Sequence, residues 1–172
     1  LLLEWHSMAY RDLREFIEVL KENDELFEID TPVSTNLEIA EITDRISKSR
    51  DGLNKALLFK NVEGYDIPVL INLFGSNQRI CKALSVDHLD EIADRIRKLI
   101  KPKVPETLVD KLSMLPTILE VGRFPPKLSN QPAPCQEVVI TDPGEPMLDK
   151  LPIITCWPDD GGRYITLPLV FS

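Results

Sequence analysis

Residues that could do chemistry are concentrated in one stretch, Thr155-Cys156-Trp157-Pro158-Asp159-Asp160-Gly161-Gly162-Arg163-Tyr164-Ile165-Thr166. Two adjacent acids and two adjacent glycines make a tight turn, and glycine lets backbone N–H groups approach a ligand closely. The same spacing also fits a plain hairpin turn, which the residue pattern taken alone favours. Elsewhere reactive side chains are sparse. His6 and His88 are the two histidines, which excludes a His-rich metal site and argues against a Ser-His-Asp or Cys-His device. His88 directly follows Asp87 and reads as a solvated first-turn residue. Cys81, Cys135 and Cys156 lack the CxxC spacing of a zinc or redox site and read as buried structural thiols. Arg95, Arg97, Lys98, Lys101 and Lys103 cluster where a helix is expected to end, and cations there complement the macrodipole without any ligand. Glu41, Asp44, Arg45 and Lys48 read as an ordinary solvated helix face. Neither a GxGxxG motif nor a P-loop occurs.

The elements that must position the turn alternate between α and β. Leu13, Phe16, Ile17 and Leu20 share one face of a helix over about 11–23. Leu26 to Ile29 alternates as a short strand that Thr31-Pro32 ends. Asn36 is the expected N-cap of a second helix reaching about residue 49. Ala56 to Phe59 and Ile67 to Leu73 read as strands joined by a turn containing Asn61 and Gly64, and all three strands are expected in one sheet. Gly75-Ser76-Asn77 opens a third helix through Leu84, and Asp87 is the expected cap of a fourth that ends before Pro102. Seven of the fourteen prolines fall within 102–134, a linker-like stretch with one short helix near 106–113. Beyond it, Cys135 to Thr141 reads as a strand, Asp142-Pro143-Gly144 as a turn, and Ile153 to Cys156 as extended. The run Tyr164 to Phe171 is apolar and β-rich, and a strand of this kind needs covered edges.

The chain has 172 residues, 20 Lys+Arg and 28 Asp+Glu, for a formal net charge of −8. A chain of this length buries roughly 70% of its unfolded surface and needs no disulfide or metal staple. The acidic balance argues against nucleic-acid binding, and no run of roughly 18 apolar residues is available to span a bilayer. Three widely spaced cysteines fit a reducing cytoplasm. Residues 1–7, LLLEWHS, read as a cloning remnant ahead of a native start at Met8-Ala9, and the apolar run at the other end reads as truncation inside a larger domain. The expected organisation is an α/β domain over 8–125 followed by a linker and further strands over 126–172.

Several blocks, in register from about residue 8 to 172, resemble the N-terminal part of the UbiD family. They are Ala9-Tyr10-Arg11-Asp12-Leu13-Arg14-Glu15-Phe16, Glu38-Ile39-Ala40-Glu41-Ile42, Ala56 to Tyr65, Asn72-Leu73-Phe74-Gly75-Ser76, Pro134 to Val139, and Leu151 to Pro158 with Asp160 to Thr166. The resemblance implies an N-terminal α/β domain followed by the start of a split β-barrel that binds flavin. It further implies a reversible decarboxylase acting on aromatic or α,β-unsaturated carboxylic acids with prenylated FMN and a divalent ion such as Mn²⁺, assembled as a homo-oligomer. Thr166 and Leu167 are the positions the resemblance places near the flavin. The family's metal ligands and catalytic arginine and acids match nothing at or before Ser172, so none is assigned here and this stretch alone is expected to be inactive and to hold no cofactor. A non-catalytic binding or regulatory subunit that kept the family's N-terminal fold is the alternative.

Overall fold

The computed structural model describes residues 10–49, 52–100, 136–141, 144 and 147–165. Residues 10–92 with the described positions from 144 to 165 form one compact unit, and residues 93–100 and 136–141 belong to a second.

The first unit is a small mixed α/β layer. Its elements are α1 (Leu13–Glu22), β1 (Leu26–Ile29), α2 (Glu38–Ser47), β2 (Ala56–Phe59), β3 (Val69–Ile71) and α3 (Asn77–Leu84), with α4 (Leu89–Ile100) following. The three strands share one sheet in the order β1-β2-β3, as the apolar pattern predicts. β1 and β2 run parallel, Leu26 opposite Ala56 through Ile29 opposite Phe59, while β3 returns antiparallel. The parallel pair needs a crossover, and α2 supplies it.

Side chains alternate across a strand, so β2 serves two cores. Leu57 and Phe59 join Val33, Ile39 and Val62 on one face, with Ile42, Ile46 and Ile154 packed against them. Ala56 joins Phe16, Leu20 and Leu26 on the other, with Leu58, Leu70 and Ala83 alongside. Burying Phe59 or Leu57 contributes about 1.5–3 kcal/mol each, and both are essentially inaccessible to solvent. The central strand is therefore the anchor of the unit.

Helix starts show where local chemistry decides and where it does not. The Asp12 carboxylate accepts from the Glu15 amide at 3.0 Å to cap α1, and Ser76 accepts from the Arg79 amide at 3.2 Å to cap α3. At α4, the Glu91 carboxylate accepts from the amides of Asp87 and His88 at 2.9 and 3.0 Å, so the acid expected to cap is itself held by Glu91. At α2 the expected cap is not used. Asn36 instead forms an isolated parallel bridge with Thr155, and Leu37 takes the N-cap place with φ 69° and no side-chain cap. A leucine in left-handed backbone is strained; the amide of Leu37, which donates to the Thr155 carbonyl at 3.1 Å, holds it there.

The strand expected over 135–141 does not form in its described part. Glu137, Val138 and Thr141 are bends, Val139 and Ile140 are irregular, and Val138 and Val139 are 77% and 72% exposed. β-branched residues favour a strand only where a neighbouring strand receives them, and no partner strand for this stretch exists among the described residues. The short helix expected near 106–113, Cys135, the Asp142-Pro143 turn and most of the 164–171 run lie outside the described residues. Tyr164 and Ile165 themselves are in no strand. No helix among the described residues is long and apolar enough to cross a membrane.

Candidate functional site

The segment from Ile153 to Ile165 is tied to the α/β layer at its start and its end. Thr155 donates its amide to the Thr35 carbonyl at 3.0 Å and accepts from Leu37, which stitches the segment to the entry of α2. Ile154 packs on the core formed by Ile39, Leu57 and Phe59. Beyond this the acidic, glycine-bearing turn reverses the chain. Asp160 Oδ2 accepts from the Trp157 amide at 2.9 Å, the Asp160 amide returns to the Trp157 carbonyl at 3.1 Å, and Tyr164 donates to the Ile154 carbonyl at 3.2 Å. Gly162 at φ 147° supplies a backbone conformation that L side chains rarely adopt. The turn is thus closed on itself by Asp160.

After the turn, Arg163 Nη1 donates to Tyr65 Oη at 3.1 Å and Nη2 to Asp149 Oδ1 at 2.9 Å. Asp149 belongs to a 3-10 helix, Met147–Lys150. The hydrogen bond to the Asp149 carboxylate, and then Tyr65, raise the pKa of Arg163 above its ordinary value. Beside the segment lies an open groove of about 450 Å³, floored by Ile71 and Ile154 and walled by Leu37, Ala40, Thr43, Trp157 and Pro158. Glu41 and Asp44 at its rim are paired with Arg45 and Lys48 at 2.7 and 2.6 Å, the solvated face the sequence predicts.

A second polar cluster lies at the end of the sheet where β1 and β2 begin and β3 ends, and nothing in the local sequence marks it. Arg79 is completely buried. Its Nη1 donates to Glu25 Oε2 at 2.9 Å and to the Asn54 carbonyl at 2.6 Å, and its Nη2 donates to Asn54 Oδ1 at 2.9 Å. Asn72, at φ 59°, donates to Asn54 Oδ1 and to the Lys55 carbonyl at 2.9 and 2.8 Å. Gly75 sits so close that a Cβ there would lie 1.9 Å from Asn72 Oδ1. This hub joins three loops at one end of the sheet. It is structural, since each of its hydrogen bonds runs to another part of the same unit.

The other candidates stay apart. Cys81 and Cys156 are free and half-buried, and Cys135 is outside the described residues. His88 is exposed at the start of α4, and Arg97 pairs with Asp94 on the same helix. Thr166 and Leu167, the positions expected near a flavin, lie just outside the described residues; the structure describes the turn that leads to them. Among the described residues no group of three or more His, Cys, Asp or Glu could hold a metal ion.

Comparison with known proteins bears on both ends of the chain. Residues 17–96 match the family model of the 3-octaprenyl-4-hydroxybenzoate carboxy-lyase N-terminal domain, and residues 126–172 match that of the Rift-related domain of the same carboxy-lyase. An uncharacterized protein of Aquifex aeolicus is 44% identical over 163 residues, 95% of this chain and 33% of that protein. Another, from Archaeoglobus fulgidus, is 42% identical over 165 residues, 96% of this chain and 32% of its own length. The chain spans about a third of the length of the curated relatives it matches. Among solved structures, the vanillic acid decarboxylase of Sedimentibacter hydroxybenzoicus in open form is 28% identical with a TM-score of 0.63, over 91% of this chain and 30% of that one. An evolved dimeric form of the UbiD-class enzyme HmfF from Pelotomaculum thermopropionicum, in complex with prFMN, is 25% identical with a TM-score of 0.62 over the same shares.

Proposed function

Because the chain belongs to the UbiD family, we propose that it is the N-terminal portion of a prenylated-FMN-dependent carboxy-lyase acting on aromatic or α,β-unsaturated carboxylic acids. The observation that carries this reading is the joint match of 17–96 and 126–172 to the two domains of one carboxy-lyase family, in the family's order. Its solved relatives include a vanillic acid decarboxylase and an enzyme in complex with prFMN. In this reading 8–125 is the N-terminal α/β domain and 126–172 contributes a linker and the first strands of a split barrel. The whole enzyme is a cytoplasmic homo-oligomer.

Prenylated FMN, when bound, supplies an electron sink for the carbanion left by loss of CO₂. This chain's share in that chemistry is positional. The turn at 157–163, closed by Asp160, delivers the chain to Thr166 and Leu167, which we place beside the flavin. The described residues do not fit the manganese ion that accompanies the cofactor, because they bring no three ligating side chains together. Its ligands, with the catalytic arginine and acid, are assigned to the part of the relatives that this chain does not span.

The test is a titration of the 172-residue chain with prenylated FMN and Mn²⁺, beside the same titration of the full-length protein. The chain alone is expected to give no micromolar binding and no shifted flavin spectrum, and the full-length protein to give both. Tight binding to the chain alone would move the cofactor site into these residues, and failure of the full-length protein to bind would overturn the reading.

A further inference from the structure

Arg163 joins three stretches that are far apart in sequence. Its guanidinium reaches Asp149 in the 3-10 helix at 2.9 Å and Tyr65 in the β2–β3 connection at 3.1 Å. Tyr65 is itself packed against the Leu57 and Phe59 core. The next residue, Tyr164, is bonded to Ile154 at 3.2 Å, and the residue before, Gly162, turns the chain at φ 147°. The chain therefore goes from the closed turn directly into a braced exit.

We propose that Arg163 is a positioning residue: it fixes the direction in which the chain leaves the turn toward Thr166 and Leu167, an inference that rests on the flavin reading of those two positions. Two acceptors in different directions call for the planar fork of arginine rather than the point charge of lysine. The Arg163 and Asp149 side chains are 42% and 54% exposed. Such a pair adds little to global stability, so its effect is local.

Amide hydrogen exchange on the 172-residue chain tests the clamp without any cofactor. Arg163→Met is expected to speed exchange of the Tyr164 amide, which donates to the Ile154 carbonyl, about two- to fivefold, leaving Leu57 to Phe59 unchanged. Arg163→Lys is expected to restore part of the protection, and Tyr65→Phe to fall between. Unchanged exchange at Tyr164, or an equal rise at Leu57 to Phe59, would overturn the proposal. In the full-length protein Arg163→Met is expected to weaken prenylated-FMN binding about two- to fivefold at an unchanged thermal midpoint, with Arg163→Lys recovering most of it. Wild-type affinity in Arg163→Met would also overturn the proposal. A Thr166→Ala variant with unaltered affinity would count against the flavin reading alone, because the exchange result stands independently of it.

Discussion

Arg79 and Glu25 form an ion pair at 2.9 Å across 54 residues of sequence, with the arginine side chain fully buried and the glutamate side chain 17% exposed. Removing one partner of a buried pair leaves the other uncompensated, which costs about 3–5 kcal/mol. Arg79→Leu is expected to destabilise by that amount, because it also strands the Asn54 carbonyl. Glu25→Gln, which keeps an acceptor on a partly hydrated side chain, should cost clearly less. Urea unfolding of both variants measures the difference, and equal costs would show that the pair is not the centre of the hub.

The glycines separate crowding from conformation. A Cβ at Gly75 would collide with Asn72 Oδ1 and crowd Arg79 Nη2 at 3.0 Å. Gly75→Ala is therefore expected to cost about 1–3 kcal/mol by forcing the hub apart. At Gly161 the nearest neighbour of an added Cβ is Tyr164 Oη at 3.5 Å, an ordinary contact, so Gly161→Ala should be nearly neutral. The ranking of their urea midpoints checks both.

Helix α1 should depend on its cap. The Asp12 carboxylate accepts from Glu15, and the Glu15 carboxylate accepts in turn from the Arg11 amide at 2.6 Å. Asp12→Ala is expected to cost about 1 kcal/mol. Asp12→Asn should recover most of it, read as the thermal midpoint of each variant at neutral pH.

Acid should erode stability through two carboxylates. Glu28 is held below its ordinary 4.5 by its hydrogen bond from Lys21 first and from Lys60 second. Asp12 is held below its ordinary 3.8, chiefly by the Glu15 amide. A depressed carboxylate contributes stability that is present above its unfolded-state value and lost as pH falls through its folded-state value. The thermal midpoint should therefore decline as pH drops below about 4.5. Glu28→Gln should differ from wild type near neutral pH and converge with it at the acid end. A constant offset at every pH would show that the glutamate acts through packing and not charge.

The sheet and the helices were legible because their signals are periodic and local. Leu13, Phe16, Ile17 and Leu20 lie on one face whatever they meet, and β2 is a run of four apolar residues that only a two-faced core can bury. What stayed hidden depends on partners far along the chain. Asn36 is a good cap by type, but Thr155 claims its backbone. Arg79 follows Asn77 and Gln78 and looks solvated, yet Glu25 and Asn54, from two separate loops, close over it. In the candidate site the turn at 157–162 was visible from its acids and glycines, whereas the bracing of Arg163 by Tyr65 and Asp149 leaves no trace in spacing. Val138-Val139 shows the converse, a strand-like pair with no strand to join among the described residues.

The bond from the Leu37 amide to the Thr155 carbonyl also sets a timetable for synthesis. The acceptor lies 118 positions after the donor, a lag of roughly 6–24 s at about 5–20 residues per second on the ribosome. During that interval α1 to α3 and all three strands have been made, but Leu37 has nothing to hold its left-handed backbone and Ile154 has not yet reached the Ile39 and Phe59 core. The nascent unit spends those seconds with the Ile39 and Phe59 face uncovered by Ile154, transiently exposed apolar surface of the kind that favours aggregation until the segment arrives.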